Sequence, residues 1–456
     1  MEPSYDLCVL GAGSAGSSAA QEARRAGRSV VLVETGGKLA GLCILRGCMP
    51  AKTLLHSADV AQTVRDADTC GIDSGTVRVD GEKIVARKDR LVREFAEDRL
   101  QELEQYPLVR GNARFVSDRM LAVDGKALHV DRFVLAMGSK TVPPDIPGLS
   151  ACGYITQAGA LDLEPLPKSM IVVGAGPVGC EFAQYFARLG VEVTLLEQAE
   201  QLLFKEDADV AYALRNALEG DGVRVVTGVS IERAECLGSR KALSIVAEGR
   251  AQQIEAQELM IAMTRRPNVA GFDLEKARVD YCGDGITVSA LMQTSNPRIF
   301  AAGDVIGRRM LVHMAVLGGQ VAAQNAAGAS REIDFDLQEA HGIGMEPELA
   351  VAGLSERDAR ARNIRYEMAT YPFSDHGRAK TEERPQGFVK MLAALDGRIL
   401  GVTIVGEGAL ELIHEALALL YARSTVDDVL RVPHLHPTMA EIITYPAEEL
   451  QKRLRG

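Results

Sequence analysis

The chain has 456 residues, 47% apolar and 25% charged, with 44 glycines, which suits an α/β protein of about three domains and excludes a disordered chain, a fibre or a small stapled module. Lys and Arg number 51 against 62 Asp and Glu, a net charge of −11, so no basic face is on offer to a nucleic-acid backbone. Eight scattered cysteines form no secreted-type framework, and no signal segment or apolar run of about 18 residues is apparent, so a reducing, cytoplasmic setting without a membrane partner is expected.

In chain order, residues 7–10 predict a buried strand, Gly11-Ala-Gly13-Ser-Ala-Gly16 a tight turn, and residues 17–26 a helix. A second strand over 29–33 ends at Glu34. The next motif, Gly41-Leu-Cys43-Ile-Leu-Arg-Gly47-Cys48-Met-Pro50-Ala-Lys52, spaces two cysteines so that a regular helix would leave them about 140° apart; pairing them needs a distorted turn, which Gly47 and Pro50 can supply. A helix starting near Pro50, with Lys52 close by, would favour a Cys48 thiolate. Two buried structural thiols or half of a zinc site are the alternatives. Zinc lacks a matching second pair, since His56 alone cannot complete four ligands, so no metal is expected.

Asp124-Gly125 between alternating apolar residues predicts a hairpin in a small antiparallel meander, and residues 133–137 a strand leaving at Gly138. Pro143, Pro144 and Pro147 mark a linker. The pattern then repeats: a strand over 171–173, Gly174-Ala-Gly176-Pro-Val-Gly179, a helix over 180–189 and a strand over 191–196 ending at Glu197. In both copies the acid stands 23 residues after the first glycine. A lone glycine motif means little. Two copies, each between a strand and a helix and each closed by an acid, predict two dinucleotide-binding βαβ folds, with the pyrophosphate at the helix N-terminus and the acid on the ribose.

Residues 259–263 form the second exit strand, leaving at Thr264, and residues 296–304 return the chain to the first fold. The expected fold class is α/β, with two nested Rossmann-like domains, 1–149 with 271–332 and 150–270, followed by an α+β domain over 333–456 built on strands at 388–395 and 399–405 and a helix at 409–421. Near the end, Pro433-His434-Leu-His436-Pro437 is followed by Glu441. A dithiol that exchanges with substrate needs a base near neutral pH and an acid to orient it, and His436 with Glu441 suits both roles. His434, with no acid at comparable spacing, reads as structural.

These motifs resemble, over essentially the whole chain, the pyridine nucleotide-disulfide oxidoreductases: dihydrolipoamide dehydrogenase, glutathione reductase and mercuric reductase. The family's dithiol signature matches at Gly41, Cys43, Gly47, Cys48, Pro50 and Lys52. The resemblance implies FAD on Gly11, Gly13, Gly16, Glu34, Gly41, Lys52, Gly138, Asp304 and His313, and NAD on Gly174, Gly176, Gly179 and Glu197. It implies Cys48 against the flavin, Cys43 as the interchange thiol, Lys52 paired with Glu181, and His436 with Glu441 supplied by the partner subunit of a homodimer. Leu42, Leu45, Ala51 and Thr264 depart from the pattern, and Gly318 stands where a glutamate is common.

No cysteine follows Cys282, which argues against mercuric ion as substrate. Arg46 is the only cation inside the dithiol loop, which favours a neutral or protein-tethered dithiol, dihydrolipoamide-like, over glutathione. The implied activity is NAD-linked dithiol oxidation. Reduction of another disulfide by NAD(P)H is one alternative, and a flavin-bearing sensor or assembly subunit with little turnover is another.

Overall fold

A computed structural model describes residues 5–36, 38–263, 265–308, 310–335 and 340–455. The chain forms two compact units, residues 1–53, 86–143 and 264–334 in one and residues 54–85, 144–263 and 335–456 in the other.

In the first unit, parallel strands lie in the order Leu108–Arg110, Val30–Glu34, Tyr5–Leu10, Lys126–Leu135 and Ile299–Ala301. Such strands carry near-continuous apolar runs because helices cover both faces, and Cys8 to Leu10 and Val31 to Val33 are accordingly buried. Lys126–Leu135 extends outward into an antiparallel meander with Met120–Val123 and Ala113–Ser117. Asp124 and Gly125, at φ 46° and 79°, make the turn that the sequence predicts. Phe115 and Phe133 meet edge to face in the core below.

The second unit repeats this order with Arg224–Val226, Glu192–Leu196, Ser169–Val173, Glu258–Ile261 and Ile155–Thr156, all parallel. It also repeats the meander, as Ser230–Leu237, Arg240–Ala247 and Arg250–Ala256. The sequence reading passed over that second meander, although Glu248-Gly249 carries the same positive-φ turn as Asp124-Gly125. The same unit holds a five-stranded antiparallel sheet, in the order Ala340–Ile343, Glu348–Gly353, Ile399–Gly406, Phe388–Ala393 and Glu367–Pro372. Helices Ala409–Tyr421 and Thr444–Arg455 bury their apolar faces on the core of this sheet. The architecture is thus two nested Rossmann-like folds and a C-terminal α+β fold, as the sequence predicts.

Candidate active site

The two glycine turns are alike in atomic detail. Gly11 N–H donates to Val33 O at 2.7 Å and Gly174 N–H to Leu196 O at 2.8 Å, tying each turn to its second strand. The acid at the end of that strand reaches back: Ala12 N–H donates to Glu34 Oε2 at 2.9 Å and Ala175 N–H to Glu197 Oε2 at 2.7 Å. The other carboxylate oxygen accepts from Gly36 and Ala199 respectively. A Cβ at Gly16 or Gly179 would stand 1.8 Å from the carbonyl oxygen of the motif's first glycine, so nothing larger lets the helix pack so close to the turn. The middle glycines face open space instead. A Cβ on Gly13 would have one neighbour, Gly41 Cα at 3.9 Å, and one on Gly176 none within 4 Å.

Helices Ser14–Arg25 and Pro177–Arg188 begin at these open turns with no side-chain cap and no acid in the first turn. Their unpaired N–H groups suit a phosphate. Gly138, at φ 70°, follows the first exit strand, and His313 is the second residue of the helix Val312–Ala326, which buries Gly318.

The dithiol motif folds as the helix Gly41–Arg46, a break at Gly47, and a second helix, Cys48–Arg65. The second helix starts two residues before Pro50, not at it: Gly47, at φ −122° and ψ −120°, makes the break alone, and Pro50 falls in the first turn, where a missing N–H costs nothing. Cys48 is therefore the first residue of an 18-residue helix, where the helix field favours negative charge. Both cysteines are free thiols in side-chain contact with one another; a hydrogen bond with Cys48, then burial, push the Cys43 thiol well above its ordinary value. Lys52 is exposed on the same helix, and Leu42 is exposed while Leu45 is half-buried.

Arg265 opens the short strand Arg265–Pro267. The ribbon pairing Arg265–Pro267 with Ser139–Thr141 sets its guanidinium on Ser139 Oγ and O and 3.6 Å from Asp304. Ser139 Oγ also donates to Asp304. Burial lowers the Arg265 pKa, against the attraction of Asp304 and of Cys48. The guanidinium therefore lies within electrostatic reach of Cys48, the thiol that the resemblance sets against the flavin. Thr264 lies outside the described residues.

In the second unit, both Glu441 carboxylate oxygens lie within 3.1 Å of His436 Nδ1, leaving the ring's other nitrogen on an exposed side chain. His434 finds its acid partner at no comparable spacing: Glu415, from the helix Ala409–Tyr421, lies 2.8 Å from its Nε2. Spacing could not show this because the acid comes from another element. A third imidazole was missed. His376 is fully buried, edge-on to Tyr445, with Nε2 3.6 Å from Glu441 and neither ring nitrogen hydrogen-bonded. Burial lowers its pKa against the attraction of Glu441, which favours the neutral ring. Glu181 is buried on the helix Pro177–Arg188 and accepts from Gly344 N–H at 2.9 Å.

Residues 5–319 match the family model described as pyridine nucleotide-disulphide oxidoreductase, and residues 340–447 match that family's dimerisation domain. The chain belongs to the pyridine nucleotide-disulphide oxidoreductase family. It is 34% identical to dihydrolipoyl dehydrogenase of Bacillus subtilis, covering 96% of both chains, and 35% identical to that of Thermus scotoductus, covering 98% of both. It is 32% identical to mercuric reductase of Staphylococcus aureus, over 96% of this chain and 81% of the relative. Among solved structures it is similar to the HOCl-induced flavoprotein disulfide reductase RclA from Escherichia coli, with a TM-score of 0.86, 25% identity and coverage of 97% and 99% of the two chains.

Pyridine nucleotide-disulphide oxidoreductases bind FAD and NAD(P) and carry a redox-active disulfide, so the chain is a flavoprotein disulfide oxidoreductase. Its dimerisation domain indicates a homodimer. The residues present fit both cofactors: each glycine turn leaves an open cradle that a Cβ at its middle glycine would fill, before an uncapped helix and beside a fixed carboxylate. Among the described residues no helix is long and apolar enough to cross a membrane.

Proposed function

We propose that this flavoprotein oxidises a dithiol of the dihydrolipoamide type and delivers the electrons to NAD⁺, acting in the cytoplasm as a homodimer. The observation that carries the reading is the Cys43–Cys48 thiol contact across the Gly47 break, with Cys48 at a helix start. In this reading residues 1–149 with 271–332 hold FAD, through Gly11, Gly13, Gly16, Glu34, Gly41, Lys52, Gly138, Asp304 and His313. Residues 150–270 hold NAD through Gly174, Gly176, Gly179 and Glu197. Residues 333–456 form the subunit interface.

The cycle starts from the Cys43–Cys48 disulfide. His436 takes a proton from one substrate thiol, and the resulting thiolate attacks Cys43 Sγ, breaking the Cys43–Cys48 bond and releasing Cys48 as a thiolate. Glu441 holds the ring by Nδ1 and stabilises the imidazolium. The second substrate thiol attacks the substrate sulfur of the mixed disulfide, closes the substrate's own disulfide and leaves its proton on Cys43. Arg265 and the helix start stabilise the Cys48 thiolate, and Lys52 and Glu181 keep the charged roles that the resemblance implies. When bound, FAD supplies the two-electron acceptor between this dithiol and NAD⁺.

The likeness to a solved disulfide reductase favours a second reading, in which electrons run from NAD(P)H to a small disulfide. Anaerobic turnover with dihydrolipoamide and NAD⁺, set beside NADH with lipoamide or glutathione disulfide, separates the two. Fast dihydrolipoamide oxidation is expected. Reduction of glutathione disulfide without turnover of either lipoamide form would overturn the first reading.

A further inference from the structure

The eight cysteines divide by environment. Cys8 and Cys180 are fully buried, and burial above all raises their thiols. Cys70 and Cys282 are exposed. The remaining four form two pairs in which the thiols touch, Cys43 with Cys48 and Cys152 with Cys236. The second pair is separated by 84 residues in sequence and no motif announces it.

Cys152 ends the short helix Leu149–Cys152, and Cys236 stands on the strand Ser230–Leu237. Their hydrogen bonds are reciprocal: Cys152 Sγ donates to Glu235 O and Cys236 Sγ to Cys152 O, both at 3.2 Å. The two backbones are also held together. Ala234 N–H donates to Pro147 O at 2.8 Å, and a Cβ on Gly148 would stand 2.2 Å from Ala234 O, so only glycine admits this approach. Such fixed proximity of two chain segments is the geometric requirement for a disulfide. The members are unequal, because Cys152 is buried and Cys236 exposed. Lys241 faces Cys236 on the neighbouring strand and pairs with Glu258, while burial, then contact with Cys236, raises the Cys152 thiol.

We propose that Cys152 and Cys236 form a second thiol–disulfide exchange site, in which exposed Cys236 attacks a small aliphatic disulfide and buried Cys152 resolves the product. The Cys236 thiolate attacks one sulfur of R–S–S–R, forming Cys236–S–S–R and expelling one thiolate, which takes up the proton that Cys236 lost. Cys152 then attacks Cys236 Sγ, breaks the mixed disulfide and forms the Cys152–Cys236 bond. The second RS⁻ leaves with the Cys152 proton. Two protein thiols are oxidised and one disulfide is reduced to two thiols.

The test uses the FAD-loaded protein and bis(2-hydroxyethyl) disulfide, read by peptide mass mapping without reductant. The wild type should yield a cross-linked peptide pair containing Cys152 and Cys236, lighter by two hydrogens. C152S should instead accumulate the mixed disulfide at Cys236, and C236S should lose both products. C152A repeats the C152S arm with a smaller, apolar residue, and retained flavin absorbance in each variant reports an intact fold. A wild type that keeps the mixed disulfide at Cys236 beside a free Cys152, or that reacts at neither cysteine, would overturn the proposal.

Discussion

The two thiols of the dithiol motif differ by where the fold puts them. Cys43 sits inside the short helix Gly41–Arg46, half-buried and hydrogen-bonded to its partner, whereas Cys48 opens a long helix within reach of Arg265. With FAD bound, C43S should show the long-wavelength charge-transfer band of a thiolate against the flavin, and C48S should keep FAD without that band. A band in C48S would reverse the roles. The pairing at spacing five could be read from sequence, because glycine breaks a helix for local reasons. Arg265 could not be read so, since Ser139 lies 126 residues away and only the ribbon joins them.

His376 was hidden for the same reason, as burial is decided by the whole core around it. Its pKa is lowered in the folded chain, while the unfolded chain titrates near about 6.5. The unfolded state therefore binds the proton more readily. The contribution of His376 to stability is full above the unfolded value and falls as pH drops below it. Thermal unfolding should show wild type losing more Tm between about pH 7.5 and about pH 5.5 than H376Q, which cannot take up that proton. Equal losses would show that folding does not shift the proton affinity of His376.

At the scale of elements, the repeat was the most legible feature, because turn, helix and closing acid are set by residues within one βαβ unit. The carboxylates held by Ala12 and Gly36 and by Ala175 and Ala199 make the likeness physical. Buried charge was illegible. Lys390 is fully buried among Asp207, Asp209 and Glu356, and Arg188 joins Asp59, Asp221 and Glu346. Each group comes from elements far apart in sequence. Glu197 carries the element-scale prediction: a carboxylate there accepts from ribose hydroxyls and repels a 2′-phosphate. The wild type should have a higher kcat/KM with NADH than with NADPH, and E197Q should narrow that ratio by roughly tenfold. An unchanged ratio would remove Glu197 from nucleotide choice.

For the whole molecule, composition and charge excluded classes of function, and the motif set pointed to a family that the matches to residues 5–319 and 340–447 establish. The C-terminal α+β fold was legible only in outline, because antiparallel strands pair across long connections that no local pattern encodes. A homodimer whose dithiol and base come from different subunits makes a prediction of its own. C43S and H436Q homodimers should both be inactive in dithiol oxidation, and co-expressed heterodimers should recover activity, since one of their two sites regains both groups. No recovery would place dithiol and base in the same subunit. The central claim, that Cys43 and Cys48 relay electrons to the flavin, is tested most directly by anaerobic reductive titration of the FAD-loaded protein. The account predicts that the wild type takes up two more electrons per subunit than C43S before its flavin is fully bleached; equal uptake by the two proteins would contradict it.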